Sequence, residues 1–134
     1  MPQSYRVEPA GLEGSIGLIS AIGAKDPRDP QWKNDQGMRD YLAFMRQYYP
    51  DGDAADFYNI AGYNYAMLMV YVLRACGDEL SRENVMRQAT SLHDLKLPMY
   101  LPGITLNTSP TDYSPIKKLH LVRFDGKFWV RVNP

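Results

Sequence analysis

One cysteine, Cys76, is present in 134 residues, so an internal disulfide is impossible. An excess of either charge is also missing: Lys plus Arg number 15, as do Asp plus Glu. Without a field of one sign to collect phosphates, nucleic-acid and anionic-membrane binding find no support. His and Cys never occur at metal-ligand spacing, and no metal or cofactor is expected. No stretch reaches the ~20 apolar residues that a membrane span needs, so no membrane insertion is expected. The start, Met1-Pro2-Gln3-Ser4-Tyr5-Arg6, lacks a basic region followed by an apolar core, and no signal peptide is read there. The expectation is a cytosolic protein or a piece parted from its address label.

What is present is globular: 45% hydrophobic residues, 22% charged, and an aromatic and adaptable reserve of ten tyrosines and seven methionines. The stretch from Asp56 to Gly77 dominates. Its centre, Ala66-Met67-Leu68-Met69-Val70-Tyr71-Val72-Leu73, is apolar on every side, which marks a buried core helix. Such a helix needs cover around its whole circumference. Gly77 follows it, where a residue with positive φ commonly ends a helix.

Other elements fall around it. Ser15–Ile22 mixes β-branched and small residues between glycines and predicts a strand. In the next loop Asp29 before Pro30 is a cap and first-turn pair, and the charges from Lys25 to Asp29 read as solvated. Met38, Tyr41, Leu42, Met45 and Tyr48 share one face of a helix over 35–49, which Pro50 ends. Ser81 caps a third helix, with Leu80 stapled onto Val85 and a face of Val85, Ala89 and Leu92 that fades near His93. Leu101–Leu106 reads as extended and Asn107–Pro110 as a turn. Leu119–Phe124 and Lys127–Val132 flank Asp125-Gly126, the signal of a two-residue hairpin loop, with His120, Val122 and Phe124 alternating against Leu121 and Arg123. The class is α/β, with three helices, crossover strands and a C-terminal β-hairpin. These strands are too few to cover the helices, so the fold reads as incomplete on its own.

Catalysis has no constellation. His93 and Asp94 are adjacent on the chain and do not face one another, and Cys76 near a helix C-terminus is disfavoured as a thiolate. No catalytic residue is assigned, and an enzyme is not expected.

Taken in order, several short matches resemble one family. They are Pro9-Ala10-Gly11; Gly17-Leu18-Ile19; Trp32 with Phe44, Tyr48, Tyr49 and Pro50; Gly62-Tyr63 with Ala66; Ser81-Arg82-Glu83-Asn84-Val85; Leu101-Pro102-Gly103-Ile104; Asn107-Thr108-Ser109-Pro110-Thr111-Asp112-Tyr113; and Phe124-Asp125-Gly126-Lys127 with Trp129. The chain resembles the C-terminal third of type I periplasmic solute-binding proteins of ABC transporters, the branched-chain amino-acid and related-carboxylate group. The resemblance implies a partial type I periplasmic-binding-protein fold. Residues 1–22 would end the second lobe and begin a crossover, 23–100 would form the helical part of the first lobe, and 101–134 would return to a second-lobe hairpin. It implies a small amino acid or carboxylate bound between closing lobes, an ABC permease as partner of the full-length protein, and a periplasmic address. One family ligand position falls on Tyr63; Tyr58 and Asn59, a turn earlier, are the rim candidates. Relatives commonly carry small residues where this chain has Asn64 and Tyr65.

Two other readings use the same residues. One is a cytosolic ligand-sensing regulatory domain of this fold. The other is a self-associating module that hides its apolar helix against a second copy, with edges at Ile16–Ile22 and Leu119–Phe124 left unpaired.

Overall fold

A computed structural model describes residues 11–132. Strand β1 is Ile19–Ile22, followed by helices α1 (Gln36–Tyr48), α2 (Phe57–Cys76) and α3 (Arg82–Ala89), then strands β2 (His120–Phe124) and β3 (Trp129–Arg131). Two short 3-10 turns, Glu13–Ser15 and Pro30–Trp32, punctuate the first third. The expected match at Pro9-Ala10 lies outside the described residues.

Each helix begins where a side chain can serve the orphan N–H groups of its first turn. Asp35 accepts from the Met38 N–H, Asp56 from the Tyr58 N–H, and Ser81 from the Asn84 N–H. Asp29 caps as expected, but it caps the Pro30–Trp32 turn, and α1 starts only after Asp35. Gly77 follows α2 with φ +59°. Helix α3 stops at Ala89, short of His93; there Thr108 Oγ1 donates to the Ala89 carbonyl at 2.7 Å and accepts from the Leu92 N–H at 3.0 Å, in place of further helical bonds. Leu80 remains exposed and makes no buried staple.

The expected strand over Ser15–Ile22 is shorter. Gly17 has φ +90°, which breaks the extended backbone, and Ser15 closes a 3-10 turn. Leu101–Leu106 is likewise a turn more than a strand: the Ile104 N–H bonds to the Leu101 carbonyl, Gly103 has φ +87°, and only Leu106 forms bridges, to Leu95 and Ile116.

The three strands form an antiparallel sheet ordered β1-β2-β3. Ile19 lies opposite Arg123 and Ile22 opposite His120, so the two segments expected to present free edges pair with each other. That correction is physical: a sheet edge gains most by meeting the nearest compatible edge, however distant in sequence. Val122 and Phe124 are buried while Leu121 and Arg123 are exposed, the alternation a half-buried strand requires. The hairpin loop runs over four residues, not two, since Phe124 pairs with Trp129. The Asp125 carboxylate explains the longer loop by accepting from the Lys127 and Phe128 N–H groups at 2.8 and 2.7 Å.

Two apolar clusters hold the helices. Met38, Tyr41, Met45, Ile60 and Met99 join α1 to the first half of α2. Val72, Cys76, Leu92, Leu97 and Leu106 join its second half to the chain after α3, where Val85 and Ala89 pack. Buried Asn84 ties α3 to the end of α2 through the carbonyls of Cys76 and Glu79 at 3.2 and 2.7 Å.

Helix α2 is therefore buried along one stripe, Ile60, Asn64, Val72 and Cys76. Its other faces stay open, with Met69 54%, Leu73 40% and Val70 38% exposed. The sequence demands cover all round, and the described residues supply it on one side. No described helix is long and apolar enough to cross a membrane.

Candidate functional site

Two backbone segments meet between the helices and the sheet. The Lys25 N–H donates to the Met99 carbonyl at 2.9 Å and the Leu101 N–H to the Gly23 carbonyl at 2.8 Å, so 23–25 and 99–101 run side by side. Gly37 of α1 presses against this junction. A Cβ there would stand 2.6 Å from the Pro98 carbonyl oxygen, a position only glycine tolerates without movement.

Beside the junction lies a groove of about 450 Å³ whose walls include Lys25, Asp40, Tyr63, Met67, Lys96 and Tyr100. Tyr63 is half-buried. Its ring meets Tyr41 edge-on with centroids 5.2 Å apart and tilts against Phe44 at the same distance. Burial and then the Asp40 carboxylate raise its hydroxyl pKa, so the phenol is neutral across the physiological range and offers one donor beside a flat apolar face. The groove thus brings together the Asp40 carboxylate, the Lys96 amine and the aromatic surface of Tyr63 and Tyr100.

Lys25 is where the structure departs most from the charge pattern. It is buried, with Nζ 2.7 Å from Asp35 and 2.8 Å from the Pro98 carbonyl, and it lies 5.4 Å over the Trp32 ring. The solvated-loop expectation holds for Asp26 and Arg28, which pair with one another near the surface, and fails for Lys25. Its partner is ten residues away, so no neighbour in sequence announces it.

Tyr58 and Asn59 do not join Tyr63 in the groove. Tyr58 is exposed against Phe57, and the Asn59 amide donates to the Asp53 carbonyl at 2.9 Å, holding the turn before α2.

A larger cavity, about 540 Å³, sits between the sheet and the loop after β1. Three acids line it, but each serves its own turn: Asp26 holds Arg28, Asp29 holds Gln31, and Asp125 closes the hairpin. They offer little to a ligand. Of the residues considered for catalysis, His93 and Asp94 are exposed and Cys76 is buried within the second cluster, so these are not brought together. Among the described residues no three His, Cys, Asp or Glu side chains could hold a metal ion.

Three helices with a three-stranded antiparallel sheet in this order make a partial periplasmic-binding-protein fold. The chain superposes on a branched-chain amino acid ABC transporter from Thermus thermophilus solved with bound valine, at a TM-score of 0.72 and 16% identity. The match covers 95% of this chain and 35% of that one, so the chain spans about a third of its length. No sequence-family model matches the chain. No curated protein matches it either.

Proposed function

We propose that this chain is part of an extracytoplasmic solute-binding receptor of an ABC transporter. The observation that carries the reading is the fold likeness over 95% of the chain to a transporter structure holding valine. In this reading residues 1–22 end the second lobe, 23–100 form the helical part of the first, and 101–134 return to the second. Ligand binds between the lobes and stabilises the closed form, and the closed receptor is what a permease engages. The solute is a small amino acid or an aromatic or aliphatic carboxylate. In this reading Tyr63 supplies an aromatic wall and a hydroxyl, and Asp40 and Lys96 on the same groove offer charges of either sign. No bond in the solute is made or broken. The place of work is the periplasm.

The exposed apolar residues of α2 favour a second reading, a module completed by another polypeptide surface, which includes a second copy of itself.

A thermal-shift screen of the full-length protein tests the first reading. Ligand at about 100 times Kd stabilises the folded state by ~2.7 kcal/mol. Valine, leucine or phenylacetate is expected to raise the melting temperature. Stabilisation by sugars alone would overturn the proposal.

A further inference from the structure

One face of the sheet is sealed and the other is open. Val122 and Phe124, on the inner face, are buried. The register sets Ile19, Arg123 and Val130 in one row of the outer face. Ala21 lies beside Leu121 in the next row, and there the Val132 N–H donates to the Leu121 carbonyl at 3.0 Å. Ile19 is 65% and Leu121 59% exposed, and Val130 and Val132 are exposed as well. Large apolar side chains thus surround one guanidinium. Arg123 stands on the central strand, exposed, and its side chain has no ion pair or hydrogen bond among the described residues.

Three strands about 4.8 Å apart make a face about 10 Å wide, which is the diameter of one helix with its side chains. A helix laid there must bring an apolar stripe and a carboxylate for Arg123. The same sheet face of another copy fails on charge, since Arg123 would meet Arg123 across the contact. Among the described helices, α1 meets both demands. Asp40, Phe44 and Tyr48 recur every four residues along one side of it. Phe44 and Tyr48 are exposed, with ring centroids 5.0 Å apart. The Asp40 carboxylate accepts from the Gln36 amide at 2.6 Å and has no cation paired with it among the described residues. Helix α2 has open apolar surface but no acid, and α3 sets Glu83 near a single exposed large apolar residue, Met86.

We propose that the outer sheet face of one copy takes α1 of a second copy, with Phe44 and Tyr48 on Ile19, Leu121 and Val130, and Asp40 paired with Arg123. The two faces differ, so each copy gives one and receives the other, and the contact is heterologous. It rests on the second, self-associating reading and not on a solute at Tyr63.

Sedimentation equilibrium of residues 1–134 with charge-swapped variants tests the contact. Arg123 and Asp40 are both exposed, so Arg123→Asp and Asp40→Arg are expected to fold with unchanged circular dichroism. Each alone is expected to raise the dissociation constant about tenfold or more, because like charges then face one another. The double variant is expected to return to within about threefold of the parent. An equimolar mixture of the two single variants is expected to form mixed assemblies, since each supplies the charge that the other lacks. Unchanged association in either single variant would overturn the contact, and so would a double variant no tighter than the singles. Association that survives every variant would leave self-association standing through another face, such as α2, and defeat this contact alone. A parent chain that stays monomeric at millimolar concentration would overturn both. Stabilisation of the full-length protein by valine reports separately on the receptor reading.

Discussion

Lys25 Nζ stands 2.7 Å from the carboxylate of Asp35, and that carboxylate also caps α1 through the Met38 N–H at 2.9 Å. One acid thus ties the end of β1's loop to the first turn of a helix, while the same amine holds the Pro98 carbonyl. Burial raises the Asp35 pKa, but the Lys25 hydrogen bond, the Met38 N–H and the nearby Lys25 and Arg39 charges outweigh it and leave it below the ordinary 3.8. A depressed carboxyl pKa stabilises the fold above the unfolded value and is lost as pH falls through the folded one. Asp35→Asn keeps a capping oxygen and loses the charge. Its deficit in melting temperature should be constant above about pH 5 and shrink below 3.8. Lys25→Met should cost about 1–3 kcal/mol in urea unfolding, because the Pro98 carbonyl and Asp35 lose their donor together.

Tyr41 sets the alkaline limit. It is fully buried and its hydroxyl donates to the Ala54 carbonyl at 2.8 Å. Burial, then Asp53 and Asp56, push its pKa up to about 12. The neutral phenol is favoured by the fold, so this stability is complete below the unfolded value of 10 and disappears as pH rises towards 12. Absorbance at ~295 nm should show one tyrosine titrating last and together with unfolding. Tyr41→Phe should remove that late phase.

Gly37→Ala tests the close approach of α1 to the junction. Elsewhere in a helix this change gains up to ~1 kcal/mol. Here the new Cβ would collide with backbone, 2.6 Å from the Pro98 oxygen, so a net loss of about 1–3 kcal/mol is expected by denaturant titration. A stabilised variant would show that Pro98 moves freely.

Tyr63→Ala separates ligand wall from core. In the full-length receptor, removing the ring should weaken amino-acid binding by about 1–3 kcal/mol in calorimetry. Unchanged affinity with a lower melting temperature would mark Tyr63 as packing for Tyr41 and Phe44.

The elements legible in the sequence are those with local causes. Asp56, Ser81 and the apolar spacing of Met38, Tyr41 and Met45 announce helices within a few residues of where they form. Alternation along His120–Phe124 announces a half-buried strand. What the sequence hid is distant in the chain. Nothing near Ile19 points to Arg123, and nothing near Lys25 points to Pro98. Asn64 stands two residues before the apolar centre of α2, yet it is among the most buried side chains and bonds to Met99, 35 residues on. Tyr63 was legible as a site candidate by resemblance; its groove partners Lys25 and Lys96 were not, since long-range packing assembles them.

The apolar faces of α2 carry the central claim, that residues 1–134 hold one portion of a two-lobe fold and leave its helix in want of cover. Met67, Met69, Val70, Tyr71 and Leu73 all stand exposed on this one helix, and contiguous exposed apolar surface on a soluble protein commonly marks an interaction face. Light scattering on residues 1–134 across a dilution series, with and without valine, tests this directly. Self-association that weakens on dilution, with no tight valine binding by the isolated chain, is the expected result. A monomer that persists at every concentration and binds valine tightly would mean that these residues form a complete domain, and it would contradict the account.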